Sequence, residues 1–354
     1  MRRLGLVCAL LAVVHLGLLL IHRGGGAAGG PVRAPLRVGL VLDVGGLGDK
    51  SFNDAAYHGL ERARRELGVY GELTEPGDGS DRESALRLFA ARGFDLVIGV
   101  GFIFSDDMYA MAREYPKTRF ACVDYAKFDA HGFVEPPPNM VALKFREEQG
   151  AFLVGALAAL VSRTHVLGFV GGMDIPLIHK FEAGYRAGAA AVCPRCTVLG
   201  GYAGVTPEAF KNPSKGKELA LTQYGSGADI IFHAAGSTGL GVFEAARATG
   251  HYAIGVDADQ WDEAPGHVLT SMTKQMDVSV HATIRDLVAG KFTGGVRVFG
   301  LDAGGVDYVY DAHNQPLIPP GVRERVEALR REIIAGRIVV PTETGPAGES
   351  PAGK

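Results

Sequence analysis

The stretch RVGLVLDVGGLGDKSFND, residues 37–54, joins an apolar run to a glycine-rich turn and then to a polar segment. This order predicts a buried strand, a turn and the first residues of a helix. The same order recurs along the chain, for example in FDLVIGVG (94–101) followed by FSDDMYAMAREYP (104–116). Repeated alternation of apolar strands with helices predicts an α/β fold whose parallel sheets are covered by helices on both faces.

The turn at the end of this stretch matches a nucleotide-phosphate loop only in part. A Walker-type loop requires glycine directly before the lysine and again five positions earlier, where this chain has Asp49 and Val44. We therefore predict a neutral polar ligand here, with Asp43 and Asp49 accepting hydrogen bonds, Asn53 donating and accepting them, and Phe52 offering a flat face. The alternative is that Phe52 belongs to the core and Asp49 caps the helix.

Bulk composition favours a globular protein with more than one core. The chain has 354 residues, of which 47% are hydrophobic and 21% charged, with a formal net charge of −3. This length favours two lobes, and the absence of a basic excess argues against nucleic acid as a partner.

The amino-terminal residues carry the pattern of an export signal. Arg2 and Arg3 precede an apolar run at residues 4–21, which small and polar residues follow. We interpret residues 1–35 as a signal peptide, or an uncleaved membrane anchor, with a linker. Cys8 lies inside the apolar run, which argues against lipid attachment after cleavage. The prediction is an exported protein, either periplasmic or anchored to the outer face of the cytoplasmic membrane, with a disordered tail at residues 341–354.

Cys193 and Cys196 stand in the segment VCPRC, which the pattern places in a turn between a helix and a strand. In an exported protein they form either a small disulfide loop or two free thiols. The alternatives are a redox pair or half of a zinc site, neither of which the sequence supports, since no second cysteine pair follows. We expect no metal and no cofactor.

Several motifs, taken together in their order, resemble one family. They include DVGGLGDKSFND (43–54), FACVDY (120–125), FREEQGAFLVGALAAL (145–160), AAGSTGLGVFEAA (234–246) and GVDADQ (255–260). The chain resembles, from about residue 37 to 311, the basic membrane protein family of PnrA-like purine-nucleoside substrate-binding proteins of ABC transporters.

The resemblance implies a type I periplasmic-binding-protein fold, with two doubly wound parallel-sheet lobes joined by a hinge and closing on a ligand. The predicted first lobe comprises residues 36–143 and about 258–290, and the second comprises 144–257 and about 291–340. A first crossing is expected near residues 141–146 and a return near 257–261.

The resemblance also implies roles for individual residues. Phe52 and Asn53 look like the base contacts of the first lobe, Asp43 lies at the preceding strand end, and Asp124 faces the base edge. Phe210 resembles the aromatic residue that stacks on the base from the opposite lobe. The family commonly has an acidic residue at the position of Asn212.

Asp257 and Lys274 resemble the pair that binds the ribose hydroxyls, because a carboxylate accepts hydrogen bonds from a diol and an ammonium donates them. Their alternative is a structural ion pair at the hinge. Gly236 would allow the backbone to approach the ligand closely, although a turn alone also explains a glycine there.

The function implied is an extracytoplasmic binding protein that captures a nucleoside, purine in the family's case, and delivers it to an ABC importer permease. One alternative is a sensor for a nucleoside-like or flavin-like molecule. The other is a nucleoside-processing enzyme, but the histidines are scattered without catalytic or metal-ligand spacing, so we expect no catalytic residues.

Overall fold

The computed structural model describes residues 34–76 and 81–343. The predicted export segment and the predicted disordered tail lie almost wholly outside these residues. Within the described ranges, no helix combines the length and the apolar character needed to cross a membrane.

The first sheet has six strands, and all neighbouring strands run parallel. Its strands are β1 (Arg37–Val41), β2 (Tyr70–Thr74), β3 (Leu96–Val100), β4 (Arg119–Val123), β7 (Met140–Phe145) and β13 (Gly295–Phe299), and a separate hairpin contains β5 (Phe128–Asp129) and β6 (Gly132–Phe133). The spatial order is β13-β7-β4-β3-β1-β2. Every residue of β3 is buried, because helices cover both faces of a central parallel strand.

The second sheet also has six strands. They are β8 (Val166–Met173), β9 (Thr197–Gly204), β10 (Ile230–Ala234), β11 (Tyr252–Asp257), β12 (Val268–Lys274) and β14 (Val306–Tyr308). The spatial order is β14-β12-β11-β10-β8-β9, and only the pairing of β12 with β14 is antiparallel. Position by position, this order repeats that of the first sheet. The predicted architecture of two doubly wound sheets is therefore confirmed.

The described ranges contain nine α-helices. They are α1 (Phe52–Leu67), α2 (Arg82–Ala91), α3 (Ser105–Glu114), α4 (Glu147–Val161), α5 (Pro176–Val192), α6 (Pro213–Gly225), α7 (Gly239–Thr249), α8 (Met276–Val288) and α9 (Val322–Ile334). In the first lobe α8 packs on α1, and in the second lobe α4 packs on α5 and α9.

Helices α4 and α5 approach each other closely through glycine. A Cβ atom at Gly155 would collide with the carbonyl oxygen of Tyr185, and one at Gly188 would collide with that of Phe152. Glycine at these two positions lets the helix backbones touch, which fixes the position of α5 over the second sheet.

The sheets show where the chain passes between the lobes. The first crossing follows β7 at residue 146, within the predicted region. The other two predicted crossings lie too early in the chain. β12 pairs with β11 in the second sheet, although residues 258–290 were assigned to the first lobe, and β13 pairs with β7 in the first sheet, although 291–340 were assigned to the second.

These corrections define the lobes used below. The first lobe comprises residues 37–145 and 275–299, and the second comprises 146–274 and 300–340. Both errors have one cause: apolar runs of similar composition can be added to either parallel sheet, so the sequence does not show which sheet a late strand joins.

Candidate ligand-binding site

A cavity that is open to solvent on one side lies where the carboxyl ends of the strands of the two lobes meet, and it holds about 600 Å³ of space with the open solvent included. Ligands of doubly wound sheets bind at this edge, because turns and helix amino termini collect there. All eight residues predicted from the sequence line the cavity: Asp43, Phe52, Asn53, Asp124, Phe210, Gly236, Asp257 and Lys274.

Asp49 organises the amino terminus of α1. Its carboxylate accepts hydrogen bonds from the backbone N–H groups of Ser51 (2.9 Å), Asn53 (2.8 Å) and Asp54 (3.2 Å) and from the side-chain amide of Asn53 (3.0 Å). The alternative role of Asp49 as a helix cap is therefore the one that the structure supports. Asn53 in turn accepts from the backbone N–H of Asp43 through its Oδ1 (2.8 Å), so its amide is held in one orientation.

Asp43 follows β1 and presents a carboxylate to the cavity. One oxygen accepts from the backbone N–H of Val44 (2.6 Å), and the other lies against Gly101, where a Cβ atom would collide with it. Burial raises the pKa of Asp43 to about 7, although the hydrogen bond from Val44 opposes this. Near neutral pH this side chain can therefore either donate or accept a hydrogen bond.

Phe52 and Phe210 line the cavity from opposite lobes. Phe52 is the first residue of α1, and Phe210 ends a short 3₁₀ helix at Pro207–Phe210. The ring of Phe210 lies over Gly172 of β8. A side chain at residue 172 would collide with this ring. Both residues are only partly buried, and the ammonium of Lys274 lies 5.2 Å from the centre of the Phe52 ring.

Lys274, at the end of β12, forms a buried ionic cluster that joins the lobes. Its ammonium lies 2.7 Å from both carboxylate oxygens of Asp124 and 3.1 Å from Glu147 Oε1. Glu147 also binds Lys180 at 2.6 Å. Burial alone would lower the pKa of Lys274, but the carboxylates of Asp124, Glu147 and Asp257 outweigh it and raise this pKa above its usual value.

Glu147 responds to the same cluster in the opposite sense. Burial alone would raise its pKa, but the ammonium groups of Lys180 and Lys274 outweigh burial and hold the pKa below its usual range. Both members of the Glu147–Lys274 contact therefore stay charged at neutral pH.

Asp257 ends β11 and accepts a hydrogen bond of 2.6 Å from the hydroxyl of Ser51, which belongs to the other lobe. Burial raises its pKa to about 6, opposed by the charge of Lys274 and by the Ser51 hydrogen bond. Its second carboxylate oxygen remains available to the cavity.

Known proteins are similar to this chain in architecture and in sequence. The sequence profile described as "ABC transporter substrate-binding protein PnrA-like" matches residues 36–344. The chain belongs to this family. The PnrA-like assignment made from the sequence motifs is thereby confirmed, and the protein is a solute-binding protein of the ABC-transporter type.

Individual relatives agree with the family. The chain is 34% identical over 326 residues to the CD4+ T-cell-stimulating antigen of Listeria monocytogenes, covering 86% of this chain and 87% of that protein. It is 31% identical over 344 residues to the ABC transporter nucleoside-binding protein BmpA of Lactococcus lactis, covering 91% and 93%. A crystal structure of an ABC transporter solute-binding protein from Aeropyrum pernix K1 superposes with a TM-score of 0.76 at 30% identity, covering 87% and 94%. These likenesses confirm the type I periplasmic-binding-protein fold.

Two further observations concern the alternative considered for Asp257 and Lys274, a structural ion pair, and the role of Asn212. Asp257 and Lys274 do not form an ion pair with each other: Lys274 binds Asp124, and Asp257 binds Ser51. Asn212, where the family commonly has an acidic residue, accepts from the backbone N–H of Lys215 (3.0 Å) and caps α6.

Some residues of this PnrA-like site were not predicted. Glu147 and Lys180 belong to the ionic cluster, and Leu177, Ile178 and Phe181 of α5 form an apolar wall. The acidic pair in FREEQG was the one available signal, because two consecutive carboxylates at the start of an otherwise apolar helix need a partner. The apolar wall carries no such signal, since its residues look like ordinary core.

The side chains that line the cavity determine what it can bind. Among the described residues that line it, none is a histidine, serine or cysteine, and the cation Lys274 is neutralised by two carboxylates. Aromatic faces, an apolar wall and carboxylates suit a flat ring that carries hydroxyl or amine donors.

Proposed function

We propose that the protein captures a nucleoside, with a purine base preferred, and delivers it unchanged to the permease of an ABC importer. The observation that carries this proposal is the pairing, in one cavity, of partly buried phenyl rings from opposite lobes with the carboxylates of Asp43 and Asp257.

The two aromatic residues account for binding of the base. Phe52 and Phe210 line the cavity from opposite sides, and a base placed between them would stack on both faces. Asp43, with its pKa near 7, would form a hydrogen bond with the edge of the base, either as a donor or as an acceptor. The rigidly held Asn53 lies beside Asp43.

The carboxylate of Asp257 accounts for binding of the sugar. A vicinal diol donates two hydrogen bonds, and the Asp257 oxygen not used by Ser51 would accept them. The ammonium of Lys274 would donate to a ribose hydroxyl while it remains bound to Asp124.

Electrostatics argue against a nucleotide. Asp43, Asp124 and Asp257 place carboxylates around the cavity, and Lys274 has no uncompensated charge to offer a phosphate. A triphosphate would therefore be repelled where a nucleoside is bound.

Delivery to a permease rests on the family and on the amino-terminal sequence. Arg2, Arg3 and the apolar run at residues 4–21 support export, with the protein either periplasmic or anchored at the outer face of the membrane. The relative from Lactococcus lactis is named a nucleoside-binding protein, which supports the same ligand class here.

The test is calorimetric titration of the purified full chain with adenosine, guanosine, uridine, riboflavin and ATP, with native mass spectrometry of the protein before and after. We expect a purine nucleoside to bind at least tenfold more tightly than ATP and to be recovered with unchanged mass. Equal affinity for adenosine and ATP, tighter binding of riboflavin, or conversion of the nucleoside would each contradict the proposal.

A further inference from the structure

The segment Cys193-Pro194-Arg195-Cys196 forms a disulfide loop away from the ligand cavity. It connects the carboxyl end of α5 to the amino end of β9. The cavity lies at the opposite, carboxyl edge of the same sheet, so ligand binding does not use this corner of the second lobe.

A histidine and an arginine accompany the two sulfur atoms. Nδ1 of His165 lies 3.9 Å from Sγ of Cys193 and 3.9 Å from Sγ of Cys196. A guanidinium nitrogen of Arg195 lies 2.7 Å from Nε2 of the same ring. One ring nitrogen of His165 and the two sulfur atoms all lie within 4.8 Å of one another. Among the described residues, no other three side chains of the types that bind metals come this close together.

The arginine determines which ring nitrogen carries the proton. A guanidinium can only donate hydrogen bonds, so Nε2 of His165 must accept, and the neutral ring then carries its proton on Nδ1. That N–H faces the two sulfur atoms. A metal ion bound to Nδ1 would need a lone pair there, which this arrangement does not provide.

The backbone holds the ring in this position. His165 has a left-handed conformation with φ of 62°, which a residue with a side chain adopts at some cost. Its N–H donates to Ser162 Oγ (3.0 Å), and its carbonyl accepts from Thr197 (2.9 Å). Asp229 in turn accepts from Ser162 Oγ at 2.7 Å.

Two charged groups of this corner are already bound. Asp229 accepts from the turn at residues 162–164, and Arg186 of α5 binds Glu182 and the carbonyl of Val198. Arg163, in the turn before His165, is exposed. The carboxyl end of α5 places negative partial charge next to Cys193. The neutral His165 ring opposes it with an N–H dipole directed at the sulfur atoms, and Arg195 supplies the positive charge on the far side of the ring.

We propose that Cys193 and Cys196 form a thiol–disulfide exchange site, in which the Nδ1–H of His165 stabilises the thiolate that leaves. The reaction partner is a dithiol reductant or a dithiol-bearing protein. This inference is independent of the proposed nucleoside function.

The reaction begins at the more accessible sulfur. Cys196 is partly exposed whereas Cys193 is buried. A thiolate of the reductant attacks Cys196 Sγ and forms a mixed disulfide, while the bond to Cys193 breaks and its electron pair stays on Cys193 Sγ. The second thiolate of the reductant then attacks the reductant's first sulfur, the one bonded to Cys196. The bond between that sulfur and Cys196 breaks, and Cys196 leaves as a thiolate. Two electrons and, after protonation of both sulfurs, two protons are taken up, and the reductant becomes a disulfide.

The experiment compares the full-length wild-type protein with His165→Gly. Glycine accepts the backbone conformation of residue 165 without strain, so the variant loses only the ring. His131→Gly removes an exposed histidine in another turn and is the matched control. The ultraviolet absorbance of the thiolate is titrated against pH as the difference between dithiothreitol-reduced and oxidised samples, so that cysteines outside the disulfide cancel.

We expect the thiolate of wild type and of His131→Gly to form at a pH about one unit lower than that of His165→Gly, corresponding to about tenfold more thiolate at a given pH. The fraction reduced at a fixed ratio of reduced to oxidised dithiothreitol should fall in His165→Gly. Identical titrations in all three proteins would overturn the proposal. So would tight zinc binding by the reduced wild type that His165→Gly abolishes, since His165 would then be a metal ligand.

Discussion

Two aspartates of the cavity share an unusual backbone conformation. Asp124 and Asp257 have φ of 60° and 66°, in the left-handed region that residues with side chains rarely occupy. They follow β4 and end β11, which hold equivalent positions in the two sheets. Strain of this kind persists where the surrounding structure enforces it, and here it places one carboxylate from each lobe at the cavity.

The proposed ribose contact can be tested at Asp257. Asp257→Gly removes the carboxylate, and glycine suits the positive φ, so the backbone should not change. Losing hydrogen bonds to a charged acceptor costs about 1.5–3 kcal/mol, or roughly tenfold to a hundredfold in affinity. We expect calorimetry to show this loss for the nucleoside but not for the free base, which has no diol.

Asp259→Ala is the matched control, because its carboxylate is exposed two residues further on and does not line the cavity. It should bind the nucleoside as wild type does. If Asp257→Gly weakened nucleoside and free base by the same factor, the ribose assignment would be abandoned and Asp257 would be assigned to holding Ser51 and the two lobes together.

Asp43 makes the stability of the ligand-free protein depend on pH. Its pKa is about 7 in the folded protein against 3.8 for the free side chain, so between these values the folded state binds more protons than the unfolded state. Stability therefore falls as pH rises from about 4 to about 7. In Asp43→Asn the free energy of unfolding should fall less over this pH range, by about 1–3 kcal/mol, since a tenfold change in proton affinity corresponds to about 1.4 kcal/mol.

Urea unfolding at a series of pH values measures the effect. Asp302→Asn, a change at an exposed carboxylate outside the cavity, should keep the wild-type pH dependence. A fall in stability that Asp43→Asn leaves unchanged would show that Asp43 is hydrated and titrates like a surface carboxylate.

At the scale of elements, the contact of α4 with α5 tolerates little change. Gly155→Ala would drive a methyl group into the carbonyl of Tyr185, and neither helix backbone can move without disturbing the sheet beneath. Overpacking of this kind costs about 1–3 kcal/mol of the free energy of unfolding, and more where backbone must shift.

Gly225→Ala provides the comparison, because it lies at the carboxyl end of α6 with open space around it. Alanine there should be neutral or stabilise the protein by up to about 1 kcal/mol, since glycine loses more backbone entropy on folding. Denaturant unfolding of both variants checks the pair, and similar small effects at the two sites would mean that α4 and α5 separate easily.

The elements themselves were the most predictable level of the structure. Apolar runs such as VGLV (38–41) and LVIGV (96–100) predicted strands correctly, because every residue in them is buried and none is polar. Asp43 was predicted from the turn that follows its strand, whereas Asp124 and Asp257 came from the family resemblance. All three follow or end such a run, at the edge where ligands of parallel sheets bind. Their precise partners were not predictable. Lys274 meets Asp124 across 150 residues of sequence, and no local pattern encodes that distance.

At the scale of the whole molecule, the lobes were predictable in number but not in their boundaries. The first crossing coincides with a proline-rich break in the pattern, whereas the later two occur between ordinary strands and helices. The lobe contacts show how the halves are joined: Ser51 donates to Asp257, and Gln260 donates to the carbonyl of Lys50 at 3.0 Å. Both contacts cross between chain segments that only the three-dimensional structure brings together.

The placement of β13 has a consequence for how the chain acquires its structure during synthesis. This strand occupies the edge of the first sheet beside β7, yet about 150 residues separate the two in sequence, and residues 146–274 of these form the second lobe. When the chain has been synthesised as far as β7, it still lacks the edge strand β13 and helix α8. The first lobe therefore cannot be completed until the second lobe has been synthesised. Closing so long a loop is entropically costly and slows folding. We therefore expect the first sheet to gain its last strand only after most of the chain has been translated.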